Sequence, residues 1–257
     1  MIYAESLHGH GVHAIVKDRI DRLLVSLGHF DSRAAARAAL KAGCVTVNGT
    51  VVTKPSQEVS SDSQIEAVAA HPYVSRGGLK LAHALEAFGV DPAGRHCLDI
   101  GSSTGGFTDV LLRRGALKVV AVDVGRDQLH ASLRNSERVR SLESTDARTL
   151  TAEDIGPAPT LLVCDASFIS LEKLLDVPLS LAAPGAEFVG LFKPQFQVGR
   201  ENVGKGGLVT DAVAADAAAE RFAVWMKEKG WPIQAWTASP ISGGDGNAER
   251  LFHAVRA

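Results

Sequence analysis

The chain has 257 residues with a formal net charge of -2, 46% hydrophobic and 22% charged, which excludes a disordered chain and a protein that coats polyanions by bulk charge. Its three cysteines, Cys44, Cys97 and Cys164, are too few and too scattered for a disulfide framework or a zinc ribbon and fit a reducing cytoplasm. The most apolar stretch, residues 179–192, is broken by Pro184, Gly185 and Glu187 and falls short of the roughly 18 apolar residues that a membrane helix needs.

At the N-terminus Glu5, His8, His10 and His13 interrupt any signal-like apolar run. Residues 1–18 are expected to be an extension with no metal site. From residue 17 to 54 seven basic side chains, Lys17, Arg19, Arg22, Arg33, Arg37, Lys41 and Lys54, stand against three acidic ones, Asp18, Asp21 and Asp31, so this is the basic end of the chain. Ile20, Leu23, Leu24 and Leu27 recur at helical spacing and stop at Gly28, a natural C-cap. Asp31 or Ser32 can cap a second helix over 33–42, where Arg33, Arg37 and Lys41 are spaced by four and share one face. Two β-rich runs, 44–47 and 51–53, flank Asn48-Gly49, a pair suited to a hairpin turn because both residues tolerate positive φ.

Two short helices followed by a hairpin, with Arg22-Leu23, Ser32-Arg33 and Gly43-Cys44-Val45-Thr46-Val47-Asn48-Gly49-Thr50-Val51-Val52, closely resemble the S4 RNA-binding domain over residues 19–67. The resemblance implies that Arg22, Arg33, Arg37, Lys41 and Lys54 meet RNA phosphates, the contacts that supply most sequence-independent affinity.

Ala69-Ala70-His71-Pro72 marks a break, so residues 68–75 are expected to be a linker and 76–257 a second domain. A helix over 79–88 carries Leu81, Ala84, Leu85 and Phe88 on one face and ends at Gly89. Strands then alternate with helices: strands at 97–100, 118–124, 139–142, 161–165 and 187–193, helices at 107–114, 128–135, 171–181 and 212–229, and closing strands at 233–237 and 250–255. This pattern predicts an α/β fold with a doubly wound, largely parallel sheet and ligands at the carboxyl ends of its strands.

The first of these strands runs into Asp99-Ile100-Gly101-Ser102-Ser103-Thr104-Gly105-Gly106-Phe107. A nicotinamide site would want glycine at Ser103, which disfavours hydride transfer. The run Asp-x-Gly-x-x-x-Gly-Gly-Phe instead resembles motif I of the Rossmann-like S-adenosylmethionine-dependent methyltransferases. That resemblance implies cofactor contacts from Asp99, Gly101, Ser103, Gly105, Gly106 and Phe107, with Asp123 on the ribose hydroxyls and Asp146 beside the adenine.

Asp165 and Lys193 end two neighbouring buried strands, where a lysine is costly unless it is paired or used. Taken in order with Lys80 and Glu249, they resemble the Lys-Asp-Lys-Glu tetrad of the FtsJ-like ribose 2′-O-methyltransferases. Lys193 is then the expected general base, made available by burial and by the neighbouring Lys80 cation, with Asp165 and Glu249 orienting the two amines. Residues 199–205 have the glycine and lysine spacing of a P-loop, but Gly206 replaces the magnesium-binding hydroxyl and no strand leads in. The segment is read as a flexible basic loop whose Lys205, with Arg76, contacts RNA.

Tyr73-Val74-Ser75-Arg76-Gly77-Gly78-Leu79-Lys80-Leu81, Gly105-Gly106-Phe107-Thr108-Asp109, Asp165-Ala166-Ser167-Phe168-Ile169-Ser170, Lys193-Pro194-Gln195-Phe196, Gly204-Lys205-Gly206-Gly207 and Ser239-Pro240-Ile241 resemble the TlyA family over residues 19–257, with Ser102 where alanine is common. The resemblance implies an rRNA (cytidine-2′-O)-methyltransferase that uses S-adenosylmethionine on ribosomal subunits in the cytoplasm, without membrane or obligate protein partner. It also implies that residues 71–74 couple RNA engagement to catalysis. The competing readings are a noncatalytic RNA-binding or ribosome assembly factor and a haemolysin-like membrane-active protein. The latter lacks an amphipathic basic helix free of the folded units. Two lysines, and no Asn-Pro-Pro-Tyr-like motif after the fourth strand, favour a ribose oxygen over a base amine.

Overall fold

The computed structural model describes residues 17–243 and 245–257 and divides the chain into two units at Pro72/Tyr73. His8, His10 and His13, with all but the last two residues of the expected N-terminal extension, lie outside the described residues. The first unit runs β1 (Lys17–Arg19), α1 (Ile20–Ser26), α2 (Arg33–Lys41), β2 (Val45–Val47), β3 (Thr50–Val51), β4 (Glu58–Ser60) and β5 (Ile65–Ala67). Of the two possible caps for α2 it is Ser32 that serves, its Oγ accepting from the Ala35 amide at 3.2 Å. Asn48 and Gly49 take φ of 50° and 76° and turn β2 into antiparallel β3. β3 stops at Val51, and Val52, expected to continue it, is buried in a core with Ile20, Leu24, Ala39, Leu40 and Val45. β5 adds to β2, and β1 pairs with β4.

The second unit runs α3 (Gly77–Phe88), β6 (His96–Ile100), α4 (Gly106–Arg113), β7 (Lys118–Val122), α5 (Ala131–Arg134), β8 (Val139–Leu142), α6 (Ala152–Ile155), β9 (Leu161–Cys164), α7 (Leu171–Ser180), β10 (Glu187–Phe192), α8 (Ala212–Glu228), β11 (Ile233–Ala238) and β12 (Arg250–Val255). Its seven strands lie in the order β11-β12-β10-β9-β6-β7-β8. Five are parallel, as expected, while β12 runs antiparallel to both β10 and β11. All four residues of β9 are buried, as a strand covered on both faces requires. Hydrophobic clusters flank the sheet, one built around Phe188, Phe222 and Phe252, the other around Leu85, Leu111 and Val189.

The pairing of Ile100 with both Val122 and Cys164, and of Cys164 with Gly190, sets the carboxyl ends of β6, β7, β9 and β10 side by side. Chain order reverses here between β6 and β9, so the crevice of the doubly wound sheet opens at this edge. The helix expected over 128–135 is shorter. Glu143 accepts from the Gln128 and Leu129 amides at 2.6 and 2.9 Å, holding the residues before α5 in a turn.

Candidate active site

Asp99, on β6, is fully buried beneath the glycine turn. Its Oδ2 accepts from Thr108 Oγ1 at 2.6 Å, and its Oδ1 is buried with no hydrogen-bond partner. Burial pushes the carboxyl up to about 7 against the Thr108 hydrogen bond, with the nearby Asp165 charge adding to the rise. Gly101 sits at φ 78°, and a Cβ there would lie 3.0 Å from Ala166 Cα, so glycine is what lets the turns after β6 and β9 touch. Asp123, just beyond β7, accepts from the Ser103 amide at 2.8 Å and the Gly125 amide at 2.7 Å. Two amides thus fix the carboxylate in place while leaving lone pairs on both oxygens.

A cavity of about 540 Å³ is lined by Gly101, Ser103, Asp123, Asp146, Asp165 and Phe168, among others. Asp146 accepts from the Arg148 amide at 2.9 Å and pairs with its guanidinium at 2.6 Å. Those bonds hold its carboxyl below the usual carboxylate range. Gly106 and Phe107 line an adjoining space of about 310 Å³. Gly105 lines neither; a Cβ there would strike Leu133 Cδ1 at 2.3 Å, so its glycine serves packing against α5.

The four tetrad positions come together as two ion pairs, in which Lys80, Lys193 and Glu249 are buried and Asp165 is half-buried. Lys193, directly after β10, places Nζ 2.6 Å from Asp165 Oδ1 and 2.8 Å from Ser167 Oγ. Lys80, on α3, places Nζ 2.5 Å from Glu249 Oε2 ahead of β12. Each lysine therefore has its own carboxylate, the arrangement that lets buried charges persist. Lys80, Asp165 and Lys193 line the space of about 310 Å³. Lys80, Lys193 and Glu249 line a further cavity of about 480 Å³ with Phe168, Gln195 and Phe196. Lys193 thus stands where the two spaces meet.

Three contributors stand in the quoted motifs, where sequence alone assigns them no role. Thr108 holds Asp99, and Ser167 holds Lys193, but a lone hydroxyl carries no signal of its partner. Phe168 is 91% exposed at φ 68°, with its ring 5.3 Å from that of Phe196. An exposed aromatic on strained backbone is kept by function more readily than by stability. Residues 73–75, expected to belong to a linker, pack within the second unit: the Val74 amide donates to Asp109 Oδ2 at 3.0 Å, and Arg113 stacks 6.0 Å over Tyr73. Cys97 and Cys164 are buried thiols pushed up to about 12 by burial, which leaves them unreactive.

Of the basic residues expected on RNA, Arg22, Arg37, Lys41 and Lys54 are exposed on the first unit, and Arg76 and Lys205 on the second. Arg33 is otherwise engaged. Its Nη2 lies 2.8 Å from Asp21 Oδ2, while Arg19 Nε lies 3.0 Å from Oδ1. Burial would raise the Asp21 carboxyl, but hydrogen bonds from Arg19 and Arg33 pull it down to about 2. The stability contributed by ionised Asp21 is therefore complete above the ordinary 3.8 and lost as the pH falls through about 2. Arg33→Ala should destabilise the first unit by about 1–3 kcal/mol, since the buried carboxylate loses one of its two partners. Arg37→Ala should leave denaturant midpoints unchanged and weaken RNA binding alone. Urea unfolding and RNA titration of both variants check this.

The fold and the site define a class, a Rossmann-like methyltransferase preceded by a small S4 unit. The chain matches the FtsJ-like methyltransferase family over residues 73–256 and the S4 domain over 18–65. It is 46% identical over 233 residues to the 16S/23S rRNA (cytidine-2'-O)-methyltransferase TlyA of Mycobacterium tuberculosis, covering 90% of this chain and 87% of that protein. It is 39% identical over 238 residues to Hemolysin A of Brachyspira hyodysenteriae, covering 92% and 99%. A solved structure named as a hemolysin, from Streptococcus thermophilus, has 37% identity and a TM-score of 0.75 over 94% of this chain and 89% of that one. The chain belongs to the TlyA family of FtsJ-like methyltransferases. Among the described residues no helix is long and apolar enough to cross a membrane, and no group of three or more His, Cys, Asp or Glu is arranged to hold a metal.

Proposed function

We propose that this chain transfers a methyl group from S-adenosylmethionine to the ribose 2′-oxygen of a cytidine in ribosomal RNA, acting on ribosomal subunits in the cytoplasm. The observation that carries the reading is the Lys193–Asp165 pair, whose Asp165 lines the space framed by Asp123 and Asp146 and whose Lys193 lines the one with Lys80, Glu249, Phe168 and Phe196. Relatives named for cytidine 2′-O-methylation support the substrate class.

The residues fit the cofactor. Asp99 Oδ1 is a buried acceptor without a partner, suited to an ammonium group, and Asp123 keeps lone pairs for ribose hydroxyls. When bound, S-adenosylmethionine supplies an electrophilic sulfonium methyl. Lys193, whose ammonium must first give up a proton, takes the proton of the attacking 2′-hydroxyl, while Asp165 and Ser167 hold its Nζ in place. Glu249 fixes Lys80 beside the same space. Phe168 and Phe196 offer ring faces to a base drawn out of its stack. Exposed Arg37, Lys41 and Lys54 hold phosphates.

Asp99 makes cofactor affinity depend on pH. Its raised carboxyl is neutral below about 7, and an ammonium group prefers the ionised form. Affinity should rise about tenfold per pH unit up to 7 and fall again above about 8, where an α-amino group loses its own proton. Without cofactor the sign for stability is opposite: between 3.8 and about 7 the unfolded chain is ionised and the folded one protonated, so stability falls as the pH rises. Calorimetric titration across pH 5.5–8.5 checks the first effect, and Asp99→Asn should flatten the rise.

The proposed reaction is tested by incubating the protein with methyl-labelled cofactor and ribosomal subunits that lack the modification. The label should enter RNA and make one internucleotide bond resistant to alkali, since a 2′-O-methyl group removes the oxygen that attacks the phosphodiester. Label in a base, in protein or in lipid contradicts the proposal.

A further inference from the structure

One polar connection beside the space of about 480 Å³ that Lys80, Lys193 and Glu249 line, the acceptor space, runs through a side chain that touches none of the reacting groups. Asn247 lies between Asp245 and Glu249 and is 3% exposed. Its Nδ2 donates to the Gly207 carbonyl at 2.8 Å, and its Oδ1 accepts from the Val209 amide at 2.9 Å. Both ends of the amide are thus spent on the backbone of one loop about forty residues away in sequence. The pairing also fixes which way round the amide sits, because a flipped group would set oxygen against oxygen and N–H against N–H. The Asn247 backbone is tied down too: its amide donates to Asp245 Oδ1 at 3.1 Å, and its carbonyl accepts from the Gly243 amide at 3.0 Å. Asp245 Oδ2 in turn accepts from Gln195 Nε2 at 3.0 Å, two residues beyond Lys193.

The loop so held is weak on its own. Residues 205–207 make a single 3-10 turn broken at Gly206, and bonds from Gly204 N to Leu208 O at 2.8 Å and from Gly207 N to Gly204 O at 3.1 Å close it. Gly206 and Gly207 take consecutive φ of 77° and 83°, and glycine loses more conformational freedom on ordering than any other residue. Yet Gly206 and Gly207 line the same space as Lys80, Lys193 and Glu249. We propose that Asn247 is a positioning residue for methyl transfer, clamping residues 204–208 as a wall of the acceptor space. The inference rests on the reading that the RNA ribose enters there. A wall that drifts lets the 2′-oxygen leave its line with the methyl group, and an error of about 1 Å in such a placement costs on the order of 10²-fold in rate.

The test uses Asn247→Ala and Asn247→Asp in the full chain. The second keeps an acceptor for Val209 but sets a carboxylate against the Gly207 carbonyl. Both should bind S-adenosylmethionine within twofold of the unaltered protein and lose about 30- to 100-fold in kcat on ribosomal subunits. Trypsin should also cut after Lys205 about tenfold faster, because the loop has been released without global unfolding. A kcat within threefold of normal, or a lower kcat without faster cleavage at Lys205, overturns the proposal. Should both variants fail to fold, the unaltered protein decides: substrate subunits must slow cleavage after Lys205, and equal rates with and without them overturn it. Failure of the proposed function itself is separable, because the unaltered protein would then transfer no methyl group to RNA at all.

Discussion

Lys193→Arg should lose about 10²–10⁴-fold in the single-turnover rate of methyl transfer, while S-adenosylmethionine affinity stays within about twofold. Arginine preserves a cation beside Asp165, so the half-buried carboxylate 2.6 Å from Lys193 Nζ keeps a counter-charge. A guanidinium cannot give up its proton in a protein, however, and so cannot act as a base. The arginine variant thus separates proton removal from mere charge. Lys193→Ala should be equally inactive, but it also strands Asp165 and blurs the cause. If Lys193→Arg keeps its rate, Lys193 works as a fixed cation that places the ribose, and the base lies elsewhere.

Breaking the other pair should show first as instability. Glu249→Ala leaves Lys80 buried with its 2.5 Å partner gone, and an uncompensated buried charge of this kind costs about 3–5 kcal/mol. The double change Lys80→Met with Glu249→Leu removes both charges and should recover most of that loss, since apolar groups of similar volume replace buried ion pairs at little or no cost. Methyl transfer should not recover with it. Urea denaturation of Glu249→Ala and of the double variant, run beside activity, reads both halves. Recovery of activity along with stability would make the pair a structural one.

The second unit was legible where long apolar runs dictate a covered strand. Residues 161–164 and 187–192 have no other way to bury their side chains, and β9 and β10 follow. The Asn48-Gly49 turn was equally plain because local backbone conformation decides it. β1, β4 and β5 were not, being three residues each and held by partners up to 43 residues away in sequence. The same limit governs the site. The carboxylates of Asp99, Asp123 and Asp165 could be placed at strand ends, but a sequence does not say that Ser103 and Gly125 amides grip Asp123. Lys80 and Glu249 stand 169 residues apart, and only the family resemblance suggested that they meet. Arg33 has the spacing of an RNA-facing stripe, yet it is drawn to Asp21, a tertiary pairing with no periodic mark in the sequence.

The most direct measurement is the identity of the methylated nucleoside. Ribosomal subunits lacking the modification are treated with the protein and methyl-labelled S-adenosylmethionine, and their RNA is digested to nucleosides and separated. All label should run with 2′-O-methylcytidine, and none should be incorporated by Lys193→Arg. Label in a base-methylated nucleoside, or undiminished label with Lys193→Arg, would contradict the account.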